Sequence, residues 1–197
     1  MLMYWGLIEA SAHQPISTSK NQHISTSKNQ HIKKSMPDLS AIKAFILDVD
    51  GVLTDGTLLA LNSGEQARAF HIRDGYAIRH ALRRGYRIVV ISGRNEEGVR
   101  KRLESLDVHD IFLGVDDKMK IFNTYINTYR LDPAHIAYMG DDMPDIEVMR
   151  RCAVAACPAD AAADVHQISN YVAARPGGHG AVRELIEAVM KTQQTWA

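Results

Sequence analysis

The stretch Phe45-Ile46-Leu47-Asp48-Val49-Asp50-Gly51-Val52-Leu53-Thr54-Asp55-Gly56 decides the reading of this chain, because a short apolar run delivers two carboxylates, two residues apart, into a glycine turn. Along an extended strand, successive side chains point to opposite faces. A chain that leaves the strand at Asp48 can instead aim Asp48 and Asp50 at one ligand. Two uncompensated carboxylates in one crevice repel each other and raise a pKa. A bound cation, or a division of labour between a nucleophile and an acid, accounts for such a pair. The plain alternative is a solvated acidic loop after a strand, and residues further along the chain decide between the two.

From residue 41 onwards, short apolar runs alternate with longer amphipathic ones. Strands are expected at 42–47, 87–91, 110–113, 135–139 and 153–156, with helices near 75–84, 95–105, 117–129 and 144–151. This order implies an α/β fold: a Rossmann-like parallel sheet with helices on both faces. Gly85 suits a helix C-terminal cap and Pro144 the first turn of a helix. Residues 57–61 and 67–72 flank Asn62-Ser63-Gly64-Glu65 and read as a small β-hairpin inserted after the first strand. That insertion is too small to be a cap domain.

The bulk properties narrow the partners. With 197 residues, 46% of them hydrophobic, the chain can build one sizeable core. Its 23 basic and 23 acidic side chains leave no net field to attract nucleic acid or an acidic membrane. No apolar run approaches the ~20 residues that span a bilayer, and the first ten residues lack the basic lead of a signal peptide; a cytoplasmic protein is expected. Residues 16–23, ISTSKNQH, recur unchanged at 24–31 and are too polar to bury. Residues 1–36 are therefore expected to be a disordered low-complexity leader, with Met36 as the biological start, and 37–197 to be the working domain with a C-terminal tail. Cys152 and Cys157, and the scattered His71, His80, His109, His135 and His166, lack metal-ligand spacing. Ile121, Phe122, Tyr125, Ile126 and Tyr129 form a helical stripe that reads as a core face.

Three further polar signals fall where strands are expected to end. Ser92-Gly93-Arg94 follows the run Arg87 to Ile91, Lys118 opens a helix, and Gly140-Asp141-Asp142-Met143-Pro144-Asp145 follows His135 to Met139. In an open α/β sheet the ligand crevice lies outside the carboxyl ends of the strands, so these groups should converge on Asp48 and Asp50. Singly, Ser92 could cap a helix starting at Asn95, Lys118 could be a surface lysine, and the acidic cluster could be a helix start. Their order at successive strand ends favours a shared site.

These motifs, within residues 42 to about 190, resemble those of haloacid-dehalogenase superfamily phosphatases. The resemblance implies that Asp48 attacks phosphorus to form an aspartyl-phosphate, and that Asp50 protonates the leaving oxygen and later deprotonates water. It implies Mg²⁺ held by the Asp48 carboxylate, the Asp50 carbonyl and Asp141, since a small hard cation prefers oxygen ligands. Ser92 and the backbone around Gly93 would bind phosphoryl oxygens and Lys118 would neutralise charge. Asp142 and Asp145 would orient the metal's ligands.

Residues 70–79 (FHIRDGYAIR), Ile91-Ser92-Gly93-Arg94 and 177–184 (GGHGAVRE) are similar to the cap-less subgroup acting on 3-deoxy-D-manno-octulosonate 8-phosphate in lipopolysaccharide biosynthesis. That likeness implies a small sugar-acid phosphate as substrate and a homotetramer in which the hairpin and the C-terminal tail reach a neighbour's site, excluding water. Arg73, Arg94 and Arg175 become candidates for gripping the sugar-acid carboxylate. Nonulosonate 9-phosphate phosphatases are the nearest alternative; that subgroup tends to carry an acidic residue where this chain has Arg94. The octulosonate group usually has Arg where this chain has His179. A phospho-accepting signalling domain shares the Asp, Mg²⁺ and Lys, but an acid/base at Asp50 would hasten loss of its signal.

Overall fold

Strict alternation of apolar side chains lets the strands feed two cores at once. In the central strand β1 (Ala44–Leu47), Phe45 and Leu47 face one layer and Ala44 and Ile46 the other. The computed structural model describes residues 37–197, so the repeated leader and the expected start at Met36 lie outside the described residues. After β1 come the hairpin strands β2 (Leu59–Ala60) and β3 (Gln66–Ala67), helix α1 (Ile72–Arg83), β4 (Arg87–Ile91), α2 (Glu97–Glu104), β5 (Asp110–Phe112) and α3 (Lys118–Tyr129). A 3-10 turn, Pro133–His135, leads into β6 (Ile136–Met139), and another, Met143–Asp145, into the short helix α4 (Ile146–Met149). The chain closes with β7 (Val154–Cys157), α5 (Ala163–Ile168), β8 (Tyr171–Val172) and α6 (Ala181–Thr192).

The large sheet has the order β5-β4-β1-β6-β7-β8, with every pairing parallel. Helices α1, α2 and α6 cover the face that carries Phe45 and Leu47, and α3, α4 and α5 cover the other. This is the expected α/β, Rossmann-like sheet. From β1 the chain winds outward through β4 to β5, then returns to build β6, β7 and β8 on the other side. The loops after β1 and its neighbours therefore splay in opposite directions and leave a crevice at their carboxyl ends.

Three expectations need correction. The hairpin is paired only over Leu59–Ala60 and Gln66–Ala67, because its second arm ends early and Ile72 already opens α1. Asn95 does not start a helix; α2 begins at Glu97, and Ser92 caps nothing there. The C-terminal segment is no free tail. Val182, Leu185, Ile186, Val189 and Met190 of α6 are buried in the main core, a helical stripe at intervals of three and four residues. The N-terminus of α6 is tied down by Asp74 of α1, whose buried Oδ1 accepts from the Arg183 N–H at 2.7 Å. Gly180 has no side chain to do this, so a neighbouring helix supplies the cap.

Candidate active site

Leaving β1, the backbone wraps on itself. The N–H groups of Leu53 and Thr54 donate to the Val49 carbonyl at 2.9 and 3.0 Å, and the fully buried Thr54 hydroxyl donates to the same oxygen at 3.2 Å. Gly51 sits at φ +78°, and a β-carbon there would lie 1.9 Å from Asp141 Oδ2. Only glycine permits both this turn and the close approach of Asp141 from the loop after β6. Asp48, Ser92 and Asp141 follow β1, β4 and β6 in turn, so the parallel register of three adjacent strands brings their loops to one place.

Lys118, 6% exposed, is the hub: its Nζ lies 2.8 Å from Asp48 Oδ2 and donates to Asp145 Oδ1 at 2.7 Å. Fully buried Asp145 is gripped further by the Tyr138 hydroxyl at 2.6 Å and the Asp141 N–H at 3.3 Å. Carboxylate oxygens of Asp48, Asp141 and Asp145 all fall within 4.8 Å of one another. Burial and then the Asp145 charge push the Asp48 carboxyl up to about 7 in spite of Lys118. Burial and then the Asp48, Asp145 and Asp142 charges lift Asp141 to about 7 as well. Burial alone would weaken the hold of Lys118 on its proton, but Asp48 and Asp145 outweigh it and raise its pKa. Three crowded hard-oxygen donors against one lysine make a site suited to a small divalent cation.

These groups open into a cleft of about 690 Å³ that also takes in Asp50, Ser92, Gly93, Arg94 and Asp142. Ser92 is buried and its Oγ accepts from the Arg94 N–H at 3.4 Å, which shapes the loop after β4. Asp142 lines the cleft, yet its Oδ1 is taken by the Met143 N–H at 2.8 Å, so it caps the following turn and stays outside the carboxylate cluster. The arginine candidates separate. Arg94 lines the cleft, whereas Arg73 and Arg175 line another groove of about 730 Å³, beside His179 and Arg183 on α6. Arg73 sits on α1 and Arg175 in the segment before α6, and neither lines the cleft that holds Asp48.

One functional neighbour escaped the sequence reading. Arg68, just after β3, forks over Asp50, with Nε 2.5 Å from Oδ1 and Nη2 3.2 Å from Oδ2. Eighteen residues separate the two, and no periodic pattern links a hairpin arm to a strand-end loop. The one available signal was a lone arginine in an otherwise uncharged stretch, Gln66 to Phe70.

A buried aspartate at the end of a central parallel strand, facing a lysine and two carboxylates from neighbouring loops, defines a haloacid-dehalogenase-type phosphatase. The comparisons agree. The 3-deoxy-D-manno-octulosonate 8-phosphate phosphatase KdsC of Escherichia coli K12 is 36% identical over 152 residues, 77% of this chain and 81% of that protein. The Moraxella catarrhalis phosphatase of the same name, solved with a magnesium ion, a phosphate ion and KDO, superposes with a TM-score of 0.78 at 30% identity, covering 80% of this chain and 91% of that one. The cobalt-bound Haemophilus influenzae protein gives 0.77 at 33% identity, over 80% and 92% of the two chains. A scan against protein-family models finds no match. The chain belongs to the KdsC family of phosphoric monoester hydrolases. No helix among the described residues is long and apolar enough to cross a membrane.

Proposed function

We propose that this enzyme hydrolyses 3-deoxy-D-manno-octulosonate 8-phosphate to the free sugar acid and phosphate, a step of lipopolysaccharide biosynthesis in the cytoplasm. The observation that carries the reading is the Asp48–Lys118–Asp145 array, with Asp141 alongside, at the mouth of a cleft whose rim bears Arg94. Asp48 attacks phosphorus and the ester bond breaks, leaving an aspartyl-phosphate. Asp50 hands its proton to the departing alkoxide, then takes one from the water that cleaves the acyl phosphate. One residue thus serves both half-reactions. Lys118 and the Ser92–Gly93 loop hold the phosphoryl oxygens as charge builds on them; preorganised donors of this kind contribute roughly 3 kcal/mol each.

Asp48, the Asp50 carbonyl and Asp141 would hold Mg²⁺, oriented by Asp145. Bound there, the cation supplies charge neutralisation between nucleophile and phosphate. Support comes from the donor set, in which two carboxyls pushed up to about 7 lack a sufficient counter-charge. Arg94, which lines this cleft, is suited to the sugar-acid carboxylate, and Arg73 and Arg175 remain candidates for it across a subunit boundary. The exposed Leu58, Leu59 and Leu61 on the hairpin support a homotetramer that covers this apolar ridge.

The test is phosphate release by purified protein with Mg²⁺ from the octulosonate 8-phosphate and from a nonulosonate 9-phosphate. The expected result is a higher kcat/KM for the eight-carbon ester; preference for the nine-carbon ester would overturn the substrate assignment. Asp48→Asn should release no phosphate while keeping the wild-type melting temperature to within a few degrees. Full turnover in that variant would remove Asp48 as nucleophile.

A further inference from the structure

The hairpin after β1 is mostly exposed, yet it sends one side chain inward. Arg68 is 1% exposed at its side chain, although Gln66 and Ala67 immediately before it are open to solvent. A guanidinium withdrawn from water needs compensating partners. Among the described residues its strongest contacts are the two to Asp50, at 2.5 and 3.2 Å. A longer approach of 3.7 Å joins it to Glu96, the residue just before α2, and a 3.5 Å hydrogen bond ties it to the Gln66 carbonyl. Arg68 therefore fastens three segments together: the loop after β1, the base of the hairpin, and the loop between β4 and α2.

Asp50 has no comparable support of its own. Its carboxylate is 30% exposed, and among the described residues Arg68 makes every hydrogen bond and ion pair it has. A partly exposed carboxylate with no other partner explores several rotamers, and each must be given up before it can face a leaving oxygen or a water. A planar fork across both oxygens fixes position and plane together, which a single ammonium cannot do.

We propose that Arg68 is the positioning residue for Asp50, and that the hairpin serves its own subunit's active site by delivering it. This rests on the acid/base assignment of Asp50 made above. Arg68 need not touch the substrate; it acts by presenting the protonated Asp50 carboxyl to the leaving oxygen in the first half-reaction and the resulting carboxylate to water in the second.

Two esters separate these steps. An alkyl phosphate such as the octulosonate 8-phosphate needs a proton on its departing alkoxide, whereas 4-nitrophenyl phosphate releases a stable phenolate without one. For Arg68→Met, kcat/KM on the alkyl ester should fall ten- to a hundredfold, part of the 10²–10⁴-fold that a placed acid or base contributes, and on the aryl ester it should stay within about threefold. Aryl kcat should still fall, because Asp50 must also activate water, so KM falls with it and a burst of 4-nitrophenolate appears. Arg68→Lys should recover part of the alkyl-ester loss. Asp50→Asn should show the same ester-dependent pattern, and Arg68→Met should add little to it in the double variant.

Equal losses on both esters, or none, in a folded Arg68→Met protein would overturn the positioning role. If Asp50→Asn itself fails to discriminate between the esters, the acid/base assignment falls instead. Melting curves establish folding, and Arg68→Gln, which keeps a polar planar end, replaces the Met variant if that one does not fold; the same two outcomes then decide.

Discussion

Lys118 illustrates how one buried side chain can hold a site together. It sits between Asp48 and Asp145 at 2.8 and 2.7 Å, and removing its charge would leave two enclosed carboxylates facing each other. Lys118→Met should lower kcat/KM by a hundredfold or more, equivalent to about 3 kcal/mol of lost transition-state stabilisation, as read by phosphate release at matched concentrations of folded protein. A loss below threefold would show that the lysine is structural. Asp48, Lys118 and Asp141 were legible in the sequence because each follows an apolar run that ends in a polar turn, and strand ends share an edge. Asp145 was assigned a supporting role, and it is hydrogen-bonded to Lys118, Tyr138 and the Asp141 backbone. Arg68 was not legible, since its partner lies across a hairpin, and the sequence did not show that Arg73 and Arg175 line a different groove from Arg94, because guanidinium chemistry says nothing about where packing places a side chain.

Two of the stretches that resemble the octulosonate subgroup also hold the fold together. The glycines of residues 177–184 let the chain cross the catalytic loop: a β-carbon on Gly177 would lie 1.8 Å from the Gly51 carbonyl oxygen, and the Gly178 N–H donates to the Val52 carbonyl at 3.0 Å. Gly177→Ala should therefore displace the loop that carries Asp48 and Asp50. Expected are a loss of about 1–3 kcal/mol of stability, as overpacking generally costs, and a fall in kcat of the surviving folded protein; chemical denaturation and steady-state kinetics check the two parts. Asp74, in the stretch from Phe70 to Arg79, caps α6 across the helix interface. Asp74→Ala should destabilise by about 1–2 kcal/mol, the usual range for losing an N-cap, with little change in kcat/KM per folded molecule. Removing everything after Arg175 deletes α6 and its buried face, so the truncated chain should fail to fold cooperatively.

Across the molecule, the carboxylate cluster couples folding to pH and to the cation. Asp48 and Asp141 are pushed up to about 7, above the ordinary 3.8 of an aspartate, so between these values the native state binds protons that the unfolded chain does not. Stability of the cation-free protein should accordingly decline as pH rises from about 4 toward 7 on account of these two groups, and level off above. A cation competes for the same oxygens. Added Mg²⁺ should therefore raise the melting temperature more at pH 8 than at pH 6, a difference that thermal melts with and without EDTA would reveal. Equal shifts at both pH values would argue that the cation binds elsewhere. Assembly is open to a separate check. Leu59, 62% exposed on the hairpin, should be covered in a tetramer, and Leu59→Lys should lower the mass found by sedimentation equilibrium.

Local information was enough to determine the α/β alternation and the strand-end acids, because hydrophobic period and turn chemistry are written in neighbouring residues. The fine ends of the elements, the pairing of Arg68 with Asp50, the cap that Asp74 lends to α6 and the parting of Arg94 from Arg73 and Arg175 were decided only by the tertiary structure. Each depends on which surfaces two distant segments bury against one another, and that packing leaves no periodic trace along the chain.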